Sequence, residues 1–242
     1  MRRRNRLLRC CPERSLEIEL NTRSRRNLGP VDWDACLKTL TDGMRTLQLR
    51  AAPSVREALI EYLKHLESWN GSYNLTAVRQ PPDMVVRHLL DSLAVARFLD
   101  GAGVADIGTG PGLPGIPLAL LRPAKRFTLV ESNGKKAAFL RHVVRTLKLP
   151  NVAVEQARCE AFKPDQRFNT VICRALGTAA EVVRLAGHLC APRGRIVLMK
   201  GRSPEAELTE LPPGFMVVES VPVLVPGLDA ERHVAVLTPG LL

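Results

Sequence analysis

Apolar positions along this 242-residue chain change their rhythm near residue 100. Before that point they recur at helical spacing. Val55, Ala58, Leu59, Tyr62, Leu63, Leu66 and Trp69 form one stripe with a period of 3.6 residues. Pro53 and the capping-box spacing of Ser54 and Glu57 open it, and Asn70-Gly71 is expected to end it. A weaker helical pattern precedes it. A further helix is predicted from Pro81-Pro82-Asp83 to about Leu99, after a loop containing Tyr73-Asn74-Leu75-Thr76. From Gly103 short apolar runs alternate with helical stretches. The runs are 104–107, 127–131, 152–156, 170–174 and 195–199; the helical stretches are 113–121, 135–147 and 179–190. The runs lack polar alternation, which is the pattern of parallel strands covered on both faces. Two last strands, 216–225 and 233–237, flank a Pro226-Gly227 turn and predict an antiparallel hairpin at the sheet edge. The fold class is therefore α/β, with five parallel strands plus a C-terminal hairpin. The expected organisation is a tail over 1–30, an N-terminal helical cap over 31–98 and a sheet domain over 99–242.

Charge refines that division. Residues 1–26 carry nine arginines against three glutamates, a net of +6, while the other 26 basic and 21 acidic residues leave only +5. Residues 1–30 read as a basic flexible tail on a mildly basic body, a balance that favours a polyanionic partner without identifying it. A solvated tail without a role is the plain alternative. No apolar run approaches the roughly 18 residues of a membrane span, and Leu7-Leu8 is too short for a secretory h-region. The six cysteines (Cys10, Cys11, Cys36, Cys159, Cys173, Cys190) form no CxxC pair and have no nearby histidine at ligand spacing. They read as reduced thiols of a cytoplasmic protein, with no disulfide frame and no metal site.

The most informative segment runs from Val104 to Gly115, where a strand ending in Asp106-Ile107 is followed by Gly108, Gly110, Gly112 and Gly115 with two prolines between them. Glycines there let the backbone approach a ligand across the carboxyl end of the strand. Two cofactors compete. A dinucleotide needs GxGxxG opening the helix so that its pyrophosphate meets free N–H groups. Gly110, Gly112 and Gly115 match literally, but Pro111, Pro114 and Pro117 remove three donors. S-adenosylmethionine has no phosphate, and Asp106 would suit its cationic amino acid portion. Glu131, at the tip of the second strand, is placed to accept ribose hydroxyls of either cofactor. Arg158-Cys159-Glu160 follows the third strand, where such folds cradle an adenine.

Together these segments resemble the RsmG (GidB) family of bacterial 16S rRNA guanine-N7 methyltransferases. The marks are Asn74-Leu75-Thr76 to Arg79, Arg87-His88 to Asp91-Ser92, Asp106 to Gly115, Cys173-Arg174-Ala175, Lys200-Gly201 and Leu228 to His233. The resemblance implies a Rossmann-like S-adenosylmethionine methyltransferase sheet. It also implies cofactor contacts at Gly108, Leu113, Cys159, Glu160 and Arg174, beside those read from Asp106, Gly110 and Glu131. It implies 16S rRNA, or the small ribosomal subunit, as partner. Position 159 is commonly Val or Ala in such proteins and position 173 commonly Ser. An NAD-type oxidoreductase, or a protein that binds RNA and cofactor without turnover, are the alternatives.

Guanine N7 has a free lone pair and no proton, so its methylation requires no general base, and no catalytic side chain is expected. The place after the fourth strand reads Cys173-Arg174-Ala175-Leu176, without the Asn/Asp-Pro-Pro-aromatic cluster of exocyclic-amine enzymes. Cys173 lacks the Pro-Cys setting of a pyrimidine-C5 nucleophile and reads as structural. Arg174 is expected either to pair with Asp106, Glu131 or Glu160 or to face the substrate. His88 and Asp91 share a helix face, open to RNA contact or to an internal hydrogen bond. Arg87, His88, Lys200 and Arg232 are the candidate RNA contacts. With 4% aromatics there is little stacking surface, so phosphate contacts and RNA shape should dominate recognition.

Overall fold

A computed structural model describes residues 31–240. The basic tail, with Cys10 and Cys11, lies outside the described residues. The sheet contains β1 (Gly103–Ile107), β2 (Arg126–Val130), β3 (Val152–Glu155), β4 (Phe168–Arg174), β5 (Cys190–Lys200), β6 (Phe215–Pro222) and β7 (His233–Pro239). Their order is β3-β2-β1-β4-β5-β7-β6. The first five strands are parallel, and β7 pairs antiparallel with both β5 and β6. The hairpin is thus present with its later strand innermost. Burial explains that choice: Val234 to Leu237 are all buried, whereas β6 leaves Met216, Val217 and Val218 exposed around Glu219.

Consecutive strand residues alternate between two cores. Val104, Ile172, Val197 and Val236 face one side, and Ala105, Val171, Ile196 and Ala235 the other. The second side is covered by α7 (Ala179–Ala186), which a Thr178–Glu181 capping box starts. The first side is covered by α5 (Gly115–Leu121), α6 (Gly134–Thr146) and the N-terminal helices. Those N-terminal helices are α1 (Trp33–Thr46), α2 (Pro53–Tyr73), α3 (Pro81–Met84) and α4 (Asp91–Leu93). Their apolar residues, among them Leu40, Tyr62, Leu66 and Leu89, belong to the same core as Val104 and Phe127. Covering both faces is why the parallel strands lack strong polar alternation.

Three local expectations are corrected. The Ser54–Glu57 capping box does not form, because Pro53 occupies the first helical position behind Ala52 and no side chain caps the helix. Asn70 does not end α2, which continues to Tyr73 and stops on left-handed Asn74. Buried Asn70 instead accepts from Thr76 N at 2.9 Å and so holds the following loop. The helix expected over 81–99 is interrupted by a π-turn at Val85–Leu90 and finishes as a tight turn at Ala96–Phe98. Short α8 (Glu205–Leu208) completes the elements, and no helix among the described residues is long and apolar enough to cross a membrane.

Candidate cofactor and substrate site

β1 and β4 are neighbours where the strand order reverses, with Asp106 opposite Ile172. This is the crevice in which open α/β sheets take ligands. β1 runs into the glycine loop, and β4 ends in Arg174. Gly108 and Gly110 have φ of +63° and +62°, and the Leu113-Pro114 bond is cis. Every N–H from Gly108 to Ile116 already has a protein acceptor. Gly108 and Thr109 donate to Val130 O, Gly110 to Glu131, Gly112 and Leu113 to Thr109 O, Gly115 to Asp106 and Ile116 to Gly112 O. With Pro111 and Pro114 in the same stretch and Pro117 just beyond it, the loop presents no free donor to a pyrophosphate. It suits a ligand that needs close approach without phosphate binding.

Cavities flank Gly108 on both sides. One, of about 450 Å³, is walled by Gly108, Gly110, Leu113, Arg174, Lys200 and Arg232. The other, of about 200 Å³, is walled by Gly108, Ser132, Cys159, Glu160 and Leu176. Larger cavities of about 520 and 540 Å³ exist at the amino ends of the strands and between α1 and α2, so size alone does not locate the site. The pair about Gly108 lies at the switch point and offers one elongated cleft in two lobes. At Gly110 an added Cβ would have no neighbour nearer than 4.0 Å, so this backbone borders open space.

A buried carboxylate organises the larger lobe. Asp91 is 2% exposed, and both of its oxygens are engaged: Oδ2 by Arg174 Nη1 at 3.1 Å and Oδ1 by Arg232 Nε at 2.7 Å. Arg174 Nη1 also donates to Arg87 O within the π-turn. Lys200 Nζ pairs with Glu207 at 2.8 Å and donates to Gly177 O. Tyr62, fully buried on α2, donates its hydroxyl to Pro111 O at 2.9 Å and ties the cap to the glycine loop. The thiols are unreactive by environment. Burial pushes Cys173 up to about 12, and burial with Glu160 pushes Cys159 up to about 11.

Residues 55–235 match the family described as GidB, rRNA small subunit methyltransferase G. The chain belongs to this family. It is 50% identical over 200 residues to the ribosomal RNA small subunit methyltransferase G of Stenotrophomonas maltophilia (strain K279a), covering 83% of this chain and 93% of that protein. It is 48% identical over 205 residues to the Nitrosospira multiformis protein of the same name, covering 82% and 95%. Among solved structures, a glycopeptide N-methyltransferase complexed with S-adenosyl-L-homocysteine aligns with a TM-score of 0.54, at 14% identity over 63% of this chain and 87% of that one. TrmN from Thermus thermophilus aligns with a TM-score of 0.51, at 22% identity over 64% and 53%. The fold is thus that of Rossmann-like S-adenosylmethionine methyltransferases. Membership of the rRNA small subunit methyltransferase G family makes the chain an S-adenosylmethionine-dependent methyltransferase. The dinucleotide oxidoreductase is set aside.

Within this methyltransferase the expected residues divide into wall and frame. Gly108, Gly110, Leu113, Arg174, Lys200 and Arg232 wall the larger lobe, and Cys159 and Glu160 the smaller one. Asp106 does not reach the cleft. It is fully buried, with Oδ2 accepting from Thr109 Oγ1 at 2.6 Å and Gly115 N at 2.7 Å, and it braces the loop against α5. Burial raises its pKa to about 6. Glu131 is also mostly buried, bonded to Gly110 N and Asn133 N, although each oxygen keeps a second lone pair. Arg174 pairs with none of Asp106, Glu131 or Glu160. Its partner is Asp91, 83 residues earlier in the chain. His88, left open between RNA contact and an internal hydrogen bond, makes the internal bond: it is 4% exposed and bonds Thr76 Oγ1 through Nε2 at 2.9 Å. Of the four expected RNA contacts, Arg87 alone is exposed. Tyr62 and Thr109 were not singled out by sequence. A tyrosine inside an apolar stripe is the one available signal, since a buried hydroxyl needs a partner.

Proposed function

We propose that this methyltransferase forms N7-methylguanosine at one guanine in the decoding region of 16S rRNA, acting in the cytoplasm on that RNA or on the small subunit that carries it. One observation supports the choice of atom. Every titratable side chain walling the larger lobe is held in an ion pair: Asp91 by two arginines, Lys200 by Glu207. No side chain there is poised to accept a proton, and the nearby thiols are held neutral. A nucleophile with a free lone pair and no proton to lose matches that wall. The guanine's position in the RNA is carried by the family resemblance.

The cleft fits the cofactor in shape and chemistry. Gly108, Gly110 and Leu113 present backbone along its middle, Cys159 and Glu160 border the lobe sized for an adenine, and Glu131 keeps lone pairs for ribose hydroxyls. Arg174 stands in the wall of the larger lobe, where the guanine would meet the cofactor's methyl group. Bound there, S-adenosylmethionine supplies an electrophilic methyl group on a sulfonium. The protein's own contribution is to hold guanine N7 in line with that methyl, and proximity of this kind lowers a barrier by up to roughly 7–11 kcal/mol. Asp91 offsets one of the two cavity arginines, which reduces repulsion as positive charge moves onto the guanine ring.

N7 methylation makes a nucleotide susceptible to borohydride reduction and aniline cleavage. Small-subunit RNA from cells lacking the protein should lose one such cleavage and regain it on complementation. A missing methyl found on an exocyclic amine, a ribose hydroxyl or a pyrimidine carbon would overturn the proposed chemistry. Tritiated-methyl transfer to unmodified RNA and to subunits separates an enzyme from a protein that binds without turnover.

A further inference from the structure

His88 is buried, and Lys200 and Arg232 are engaged by carboxylates, so the RNA must be gripped largely by other cations. The cap has none to spare on average: residues 31–98 hold eight basic and eight acidic side chains. Its charges are nevertheless segregated. Between α1 and α2 lies a cavity of about 540 Å³ walled by Arg45, Arg50 and Arg56, with Thr41 and Gln48 as further polar groups and Met44 in its wall. No acidic residue lines it. Arg45 is paired with Asp42 at 2.8 Å, but both are well exposed and that bond is weak. Among the described residues Arg50 and Arg56 have no ion-pair partner. Two guanidiniums without ion-pair partners border one concavity, and an anion seated there would compensate both. The guanidinium fork matches two phosphate oxygens at once.

The cavity also has a mechanical link to the reaction cleft. Gly43 of α1 has no room for a Cβ because Leu90 packs against it, and Leu90 precedes Asp91, which holds Arg174. A run of contacts therefore leads from α1, which carries part of the cavity wall, to the arginine of the cleft. A phosphate held on the cap would fix a polynucleotide relative to the guanine being modified, without reading sequence.

We propose that this cavity seats a backbone phosphate of the RNA substrate, with Arg50 and Arg56 as its cationic contacts. The proposal rests on the rRNA reading given above. The test compares the full chain with an Arg50→Glu/Arg56→Glu variant and with an Arg145→Glu/Arg193→Glu control, whose arginines are exposed on α6 and β5. Methyl transfer to unmodified small-subunit RNA should show KM for RNA raised tenfold or more in the first variant. Its kcat at saturating RNA, calorimetric affinity for S-adenosylmethionine and melting temperature should match wild type. The log–log salt dependence of RNA binding should become shallower by about one. An unchanged KM and salt slope would overturn the site, and so would an equal loss in the control, which would reduce the effect to overall charge. If the double glutamate variant is unstable, Arg50→Gln/Arg56→Gln should still raise KM by at least threefold at unchanged melting temperature, and an unchanged KM there also overturns it. Absence of transfer by the wild-type chain is a separate result, which strikes the rRNA reading itself.

Discussion

At Gly110 a Cβ would project into open space, whereas at Gly115 it would strike Leu129 and Asp106. The first glycine leaves room for a ligand, and the second leaves room for the loop's own brace. Gly110→Val is expected to abolish S-adenosylmethionine binding in calorimetry while unfolding stays cooperative. The positive φ adds a penalty of about 1–2 kcal/mol to a β-branched residue, a loss that a domain of ordinary stability survives. Undiminished affinity would remove this backbone from the site. Two buried titratable groups give opposite pH signatures. Burial raises Asp106 to about 6, so its stabilising contribution is complete below its usual value near 3.8 and is lost as pH rises through 6. Burial, with Arg174 next, lowers His88 to about 4, so its contribution is complete above 6.5 and is lost as pH falls through 4. Each amounts to a change on the order of 3 kcal/mol, and across pH 4–6 they oppose each other. In denaturant titrations between pH 4 and 6.5, Asp106→Asn should make stability rise more steeply with pH, and His88→Gln should make it fall. Parallel pH profiles for both variants and wild type would contradict these assignments.

Between elements, the Arg174–Asp91–Arg232 bridge joins the end of β4, the helix after the π-turn and the segment leading into β7. Removing the buried anion leaves two cations facing each other without compensation. Asp91→Ala should cost about 3 kcal/mol, the low end for a broken buried pair because both arginines remain about a quarter exposed. Arg174→Ala should weaken cofactor binding or turnover more than tenfold, about 1.4 kcal/mol. A lower melting temperature with both quantities unchanged would make Arg174 a brace only. This bridge also shows where the sequence stops being readable. The parallel strands were legible because two covered faces leave each a short, mostly apolar run, and the glycine loop because backbone approach to a ligand demands glycine. β5 begins five residues earlier than expected, since Pro192 and Arg193 interrupt its apolar run. The partner of Arg174 had no local signature, because 83 residues separate it from Asp91. His88 was ambiguous for the same reason. A histidine on a helix face reads alike whether Thr76 or solvent meets it, and only the loop held by Asn70 decides.

For the molecule as a whole, charge is distributed very unevenly. The 26 basic and 21 acidic residues after position 26 give a body of +5, and that body spends several of its cations internally, on Asp91, Glu207 and Asp100. Residues 1–26 add +6 in a stretch with no lysine and no aspartate. A body so arranged can place the RNA accurately at few points, while the charge of the arginine-rich segment is expected to add attraction of a less specific kind. The two contributions should separate by salt. Attraction through released counterions falls with ionic strength by roughly 0.7–0.9 log units per tenfold salt for each phosphate neutralised. Deleting residues 1–28 should therefore leave affinity for S-adenosylmethionine and kcat at saturating RNA unchanged, because both depend on the cleft between β1 and β4. RNA binding should weaken chiefly at low salt, and the two binding curves should converge as salt rises. The measurement is RNA affinity over a salt series for the full and shortened chains. An identical slope for the two would show that the arginines do not reach the RNA, and a loss of cofactor affinity would show that the segment serves the cleft directly.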